Sequence, residues 1–120
     1  MPTRFVILHH KVKDGEHWDL MLEHGEVLLT WQLLANPVGA GTLPIPATPI
    51  ADHRKAYLEY EGPLSGDRGE VQRVAVGAVE ITDLCASRCE FRLTSARIEG
   101  EFVLARGGEG GWRFQPIQTL

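Results

Sequence analysis

The chain has 120 residues, 43% hydrophobic and 23% charged, values ordinary for one globular domain spanning 1–120, so disorder is excluded as the default. A net charge of −4 excludes a protein that coats nucleic acid without specificity, because phosphate neutralisation needs surplus Lys and Arg; an enzyme gripping one strand end is still allowed. No apolar run reaches the length of a membrane-spanning helix and no charged-then-apolar leader opens the chain, so a cytoplasmic protein with no membrane partner is expected.

Residues 4–10 predict a first strand, running through Phe5-Val6-Ile7-Leu8 to His9-His10. The polar stretch Lys11–Glu16 contains an Asp14-Gly15 step that favours a turn, and 17–23 alternates polar and apolar apart from Met21. Together they predict a hairpin that brings His10 back beside His17. His24-Gly25-Glu26 marks the next turn, ahead of the β-prone run 27–34. Residues 35–50 carry four prolines and two glycines and predict an ordered surface loop, since proline cannot donate to a ladder.

The stretch 51–60 predicts a helical turn capped by Asp52, which would set His53 and Tyr57 at i and i+4 on one face. Residues 61–69 are turn chemistry. Short β-like runs follow at 70–76, 78–82, 89–94, 97–105 and 112–117, divided by polar or glycine-rich breaks such as 107–111. The sum predicts a mainly β fold, a compact antiparallel β-barrel with one or two short flanking helices. Cys85 and Cys89 read as buried or loop thiols, because a lone Cys-x3-Cys pair lacks the second pair of a structural zinc site.

On a strand over 17–23, His17, Asp19, Met21 and Glu23 share one face, while Trp18, Leu20 and Leu22 share the other. The apolar face would enter a core. The opposite face presents an imidazole and a carboxylate two residues apart, a spacing at which both reach one ion. His10, or its neighbour His9, would return as a third ligand. Two histidines and a carboxylate with positions left open is how catalytic divalent-metal sites are furnished. The plain alternative is a His–carboxylate hydrogen bond on a solvated strand. Taken alone, His53 reads as a surface histidine, Tyr57 as a core aromatic, and Arg54 and Arg68 as solvated charges.

Several pieces recur in a familiar order: Arg4-Phe5-Val6-Ile7 before the His pair, His17-Trp18-Asp19-Leu20 with Leu22-Glu23, and Trp31 with Pro37. Asp52-His53, Tyr57, Glu61-Gly62, Gly100-Glu101-Phe102-Val103-Leu104-Ala105-Arg106 and Trp112 follow them. The series, which runs through nearly the whole chain, resembles the 3′-phosphoesterase domain of bacterial DNA ligase D and its stand-alone relatives. The resemblance implies a β-barrel with a manganese-dependent site inside its mouth. It also implies a DNA-repair activity that removes a terminal ribonucleoside and then a 3′-phosphate. Metal ligation by His10, His17 and Asp19 is implied, with His9 as an alternative ligand because the spacing to His17 is one residue longer than usual. Glu23 would support the site, and His53 with Tyr57 would contact the scissile phosphate. The implied cofactor is a divalent metal, manganese foremost, with zinc or cobalt as alternatives. The implied partners are nucleic-acid 3′ ends and a separately encoded ligase or polymerase.

Two positions depart from the family pattern. Met21 stands where the family has an arginine, and Leu34-Ala35-Asn36-Pro37 replaces a Pro-Lys-Gly-Pro stretch, with Ala35 at the lysine. Both cations would hold phosphate. Arg54 and Arg68 are the nearest candidates to replace them. The departures also support two alternatives. One is a non-catalytic metal- or end-binding barrel module acting with a repair ligase or polymerase. The other is a phosphoesterase for small phosphorylated metabolites.

Overall fold

The computed structural model describes residues 3–39, 44–108 and 111–117. Two-residue turns at Lys13-Asp14 and Gly25-Glu26 join three strands, β1 (Thr3–Val12), β2 (Gly15–His24) and β3 (Val27–Leu33). Gly25 adopts φ 61°, a left-handed conformation that glycine reaches without steric cost. Then come β4 (Ile45–His53), a 3₁₀ turn (Lys55–Leu58), β5 (Gly62–Pro63) and the long β6 (Glu70–Cys85). β7 (Arg88–Thr94), β8 (Glu99–Arg106) and β9 (Trp112–Pro116) complete the fold. All ladders are antiparallel, and the order β1-β2-β3-β4-β9-β8-β7-β6 returns to β1, closing an eight-stranded barrel. β5 lies against the start of β6, outside this ring.

Every strand of the ring contributes to the interior, including Phe5 and Ile7 from β1, Leu20 and Leu22 from β2, and Phe91 from β7. Phe102 and Phe114 stack at its far side with ring centroids 5.0 Å apart. A second, smaller apolar cluster sits on the outward pleat of β1, β2, β3 and β6: Val6, Leu8, Met21, Leu28 and Val71, covered by Leu58 of the 3₁₀ turn. The run Phe5-Val6-Ile7-Leu8 is apolar throughout because both its faces are covered.

Three expectations are corrected. The proline-rich segment is not loop throughout: from Ile45 it is strand, with Pro46 and Pro49 inside β4. β4 meets β9 only over Ile45–Ala47, so at Pro49 its second side carries no ladder and a missing N–H costs little, whereas Pro46 lies within that short contact, opposite Arg113. The helical turn is shorter than expected and is not capped by Asp52. Asp52 lies in β4, and the 3₁₀ turn starts after Arg54, whose side chain makes no cap. The runs 70–76 and 78–82 are one strand, because Gly77 does not break it but pairs with Phe5. A Cβ on Gly77 would lie 2.2 Å from the Thr94 carbonyl oxygen, so glycine there permits close strand approach. Residues 40–43, and 109 and 110 of the glycine-rich break, lie outside the described residues.

Both cysteines are free thiols. Burial pushes the Cys89 thiol up to about 12, whereas the exposed Cys85 is lowered, chiefly by a hydrogen bond from the Ser87 backbone. Among the described residues no helix is long and apolar enough to cross a membrane.

Candidate metal centre

The β1–β2 register sets His10 directly opposite His17 and Leu8 opposite Asp19. Period-two geometry then turns His10, His17 and Asp19 to one face, as the spacing predicts. Their donor atoms all lie within 4.8 Å of one another. Parity places them on the outward pleat, beside the small cluster of Met21 and Leu8, rather than inside the barrel. The expectation of a site within the mouth is corrected accordingly: the interior-facing positions of these strands are filled with Leu20, Leu22, Phe5 and Ile7.

Asp19 is buried, at 4% exposure, and its two oxygens face different rings. Oδ1 accepts a hydrogen bond from His17 Nδ1 at 2.7 Å, and Oδ2 lies 3.4 Å from His10 Nδ1. His10 Nε2 must donate to the Arg68 carbonyl, 2.7 Å away, because a carbonyl only accepts. In a neutral His10 the proton is thereby assigned to Nε2, and the Nδ1 lone pair points at a carboxylate oxygen. Two acceptors facing each other call for a cation. A backbone carbonyl fixing the far nitrogen of a ligand histidine is also the usual outer support of a metal site. The donor set therefore fits a divalent ion, with Asp19, His10 and His17 as the residues that would hold it.

His9 does not join this group. It stacks on Trp18 at 4.7 Å and bonds Glu16 Oε1 at 2.6 Å, on the opposite pleat. Glu23 shares the outward face but belongs to another cluster. Its Oε1 accepts the Arg4 backbone N–H at 2.8 Å, and Lys55 Nζ lies 3.3 Å from Oε2. That backbone bond, followed by the Lys55 and Arg4 charges, outweighs desolvation and lowers the Glu23 carboxyl.

A small cleft of about 90 Å³ joins the metal group to the rest of the predicted site: His10, Asp19, His53, Tyr57 and Arg68 all line it. His53 ends β4 and Tyr57 sits in the 3₁₀ turn, so they are not on one helix face. They meet because the chain reverses at Arg54, with ring centroids 5.3 Å apart and edge to face. His53 Nδ1 donates to the Ala51 carbonyl at 2.9 Å. Arg68 is the one cation among the described residues lining this cleft. Its guanidinium is anchored on Ser65, through Nε to the carbonyl at 2.8 Å and Nη2 to the hydroxyl at 2.9 Å. Arg54 lines a neighbouring groove instead.

Met21, 1% exposed, forms part of the cleft floor, so the arginine position of the family pattern is here a buried apolar contact. Sequence reasoning missed Gln32, which pairs across the ladder with Asp19 and lines the cleft. Its parity with Thr30 on β3 is the signal that places it. It also missed Gly69, whose φ of 88° lets the chain pass the end of β1 and deliver the Arg68 carbonyl to His10. A Cβ there would sit 1.9 Å from the Lys11 carbonyl oxygen.

The family model of the DNA Ligase D 3′-phosphoesterase domain matches residues 8–106. The chain belongs to this family. Among curated proteins none matches the chain. The matched span begins at Leu8 and so includes the whole candidate centre, from His10 to Arg68. A 3′-phosphoesterase-type domain thus carries a possible metal-binding group of His10, His17 and Asp19 on the outer face of its barrel.

Proposed function

We propose that the chain is a divalent-metal-dependent phosphoesterase that processes nucleic-acid 3′ ends in DNA repair, removing a 3′-phosphate or a terminal ribonucleoside. One observation carries the reading. In a chain of this family, two members of a two-histidine, one-carboxylate donor set, His10 and Asp19, line a phosphate-sized cleft together with His53, Tyr57 and Arg68. His10, His17 and Asp19 would hold the ion, with manganese preferred and zinc or cobalt as alternatives, because three protein ligands leave coordination positions open. A bound divalent ion supplies positive charge that offsets the charge gathering on phosphoryl oxygens.

The chain's own residues supply the rest. His53 commits Nδ1 to Ala51, so Nε2 is the atom presented for a proton transfer or a hydrogen bond to phosphate. In hydrolysis of a 3′-phosphate, a water oxygen bonds to phosphorus as the bond between phosphorus and the 3′ oxygen breaks. His53 protonated on both nitrogens gives its Nε2 proton to the 3′ oxygen, which leaves as the hydroxyl, while the attacking water loses a proton and the phosphoryl group leaves as inorganic phosphate. Tyr57 orients a phosphoryl oxygen, and Arg68, pre-set by Ser65, adds the charge that Met21 lacks. Glu23 acts at one remove, since its pair with Lys55 pins the turn carrying Tyr57.

The test is phosphate release from a 3′-phosphorylated primer-template with and without Mn²⁺, beside the His17→Ala protein. Metal-dependent release is expected, and a drop of more than about 100-fold in the variant together with loss of metal binding. Full activity in His17→Ala would sink the scheme. The buried Met21 favours a second reading, a non-catalytic end-binding module that works with a separate ligase or polymerase. Metal binding without release would select it.

A further inference from the structure

Beside the small cleft lies a larger groove of about 550 Å³, lined by Arg54, Tyr57, Tyr60, Leu64, Ser65 and Arg68 among others. Tyr57, Leu64 and Arg68 line both, so the two are continuous. We propose that this groove seats the terminal nucleoside of the strand, with its base stacked on Tyr60 and the next phosphodiester at Arg54. The inference rests on the 3′-end reading above and names the part of the substrate that lies outside the chemistry.

Size comes first. The cleft at the metal group, about 90 Å³, admits a phosphoryl group and not a nucleoside. The groove falls within the range that small-molecule sites occupy, roughly 300–1,000 Å³. A substrate anchored by its 3′-phosphate must leave the cleft somewhere, and the groove opens on the side of Tyr57 and Arg68.

The lining supplies the second reason. Tyr60 is 38% exposed, yet its ring is fixed. Its hydroxyl donates to the Pro63 carbonyl, and its ring meets Tyr57 edge to face at 6.3 Å. An exposed aromatic ring that pays little to be ordered is a stacking platform, and stacking accepts any base because every base has a π-face. The side chain of Arg54 has no hydrogen bond or ion pair among the described residues, and it borders the same groove. Glu59, the one carboxylate in the lining, leans towards Arg4 at 3.7 Å. In a chain of net charge −4, two arginines flanking an aromatic groove make a local site for a phosphodiester.

The test is equilibrium binding by fluorescence anisotropy, with the manganese-loaded protein and two oligonucleotides ending in a hydrolysis-resistant 3′-methylenephosphonate. One bears a base on its last sugar and the other is abasic there. The wild-type protein is expected to bind the base-bearing end about ten-fold more tightly. Tyr60→Leu should lose that preference, while Tyr60→Phe, which keeps the ring, should retain it within about two-fold. Arg54→Ala should weaken both ends alike and reduce the slope of affinity against salt by about one. Equal affinity of the wild type for the two ends, or an unchanged preference in Tyr60→Leu, would overturn the stacking site. A nucleoside 3′-monophosphate bound as tightly as the oligonucleotide would overturn the role given to Arg54. Base-dependent binding without phosphate release from the primer-template would count against the hydrolytic reading alone and leave the groove assigned.

Discussion

Asp19 and Glu23 stand four residues apart on the same face of β2, and their surroundings differ in kind. Glu23 meets permanent cations, Arg4 and Lys55, and a backbone N–H. It is a satisfied structural carboxylate. Asp19 is more deeply buried and meets only imidazoles, one of which directs its Nδ1 at a carboxylate oxygen while its Nε2 is committed to Arg68. A buried carboxylate without a permanent counter-charge is costly unless a cation joins it. The pair shows that residue type and strand face do not separate a structural acid from a candidate metal ligand. What separates them is whether fixed positive charge already surrounds the group.

Asp19→Asn tests the contrast most severely. It keeps the shape and removes the charge, so metal affinity, measured by calorimetric titration with Mn²⁺, should fall by more than about 100-fold. Stability without metal should change little or rise, since a buried charge has been removed. A protein still binding Mn²⁺ at wild-type affinity would erase the distinction.

Gly69→Ala probes the support rather than the ligand. The new Cβ would collide with the Lys11 carbonyl, and φ of 88° adds strain, so a loss of about 1–3 kcal/mol is expected in chemical denaturation. Because Arg68 would shift away from His10, metal affinity should also drop about ten-fold. Loss of stability with unchanged metal affinity would show that the carbonyl of Arg68 does not orient His10.

Glu23→Gln is the smallest effect and the complement of Asp19→Asn. Its loss should cost about 1 kcal/mol near neutral pH and alter Mn²⁺ affinity by less than about two-fold. The sign with pH follows from the lowered carboxyl. The contribution is present in full above the ordinary value of 4.5 and is lost as pH falls through the lower value of the folded state. Denaturation of both proteins across that window should therefore show their stabilities converging in acid. A gap that widened in acid would contradict the environment assigned to Glu23.

Much of this was legible before any coordinates. The turn-prone Asp14-Gly15 step and the alternation over 17–23 give the hairpin, while its register, with the turn at Lys13-Asp14 and His10 opposite His17, is set one residue earlier than that step alone would place it. The same alternation assigns His17 and Asp19 to one face. It left His9 and His10 as alternatives, and only the pairing of β1 with both β2 and β6 shows His9 turned towards Trp18. Pro49 misled because a strand exposed along one side tolerates it, and exposure of one side is a property of the neighbours. Asp52 misled because a good capping residue competes with ladder pairing, and Leu28 opposite His53 decided for the ladder.

The sequence by itself determined the β class, the leading hairpin and the two-histidine, one-carboxylate composition of the centre, because these depend on periodicity and on neighbours a few residues away. Only the tertiary structure decided that the centre faces outward from a filled barrel and that His53, Tyr57 and Arg68 come to its edge. It also decided that Glu23 is already neutralised by Arg4 and Lys55. Those facts depend on closure of β1 on β6 and on the path of residues 54–69 across the outer sheet, contacts between segments far apart in the chain. Local sequence carries no record of which distant charge will arrive at a given face.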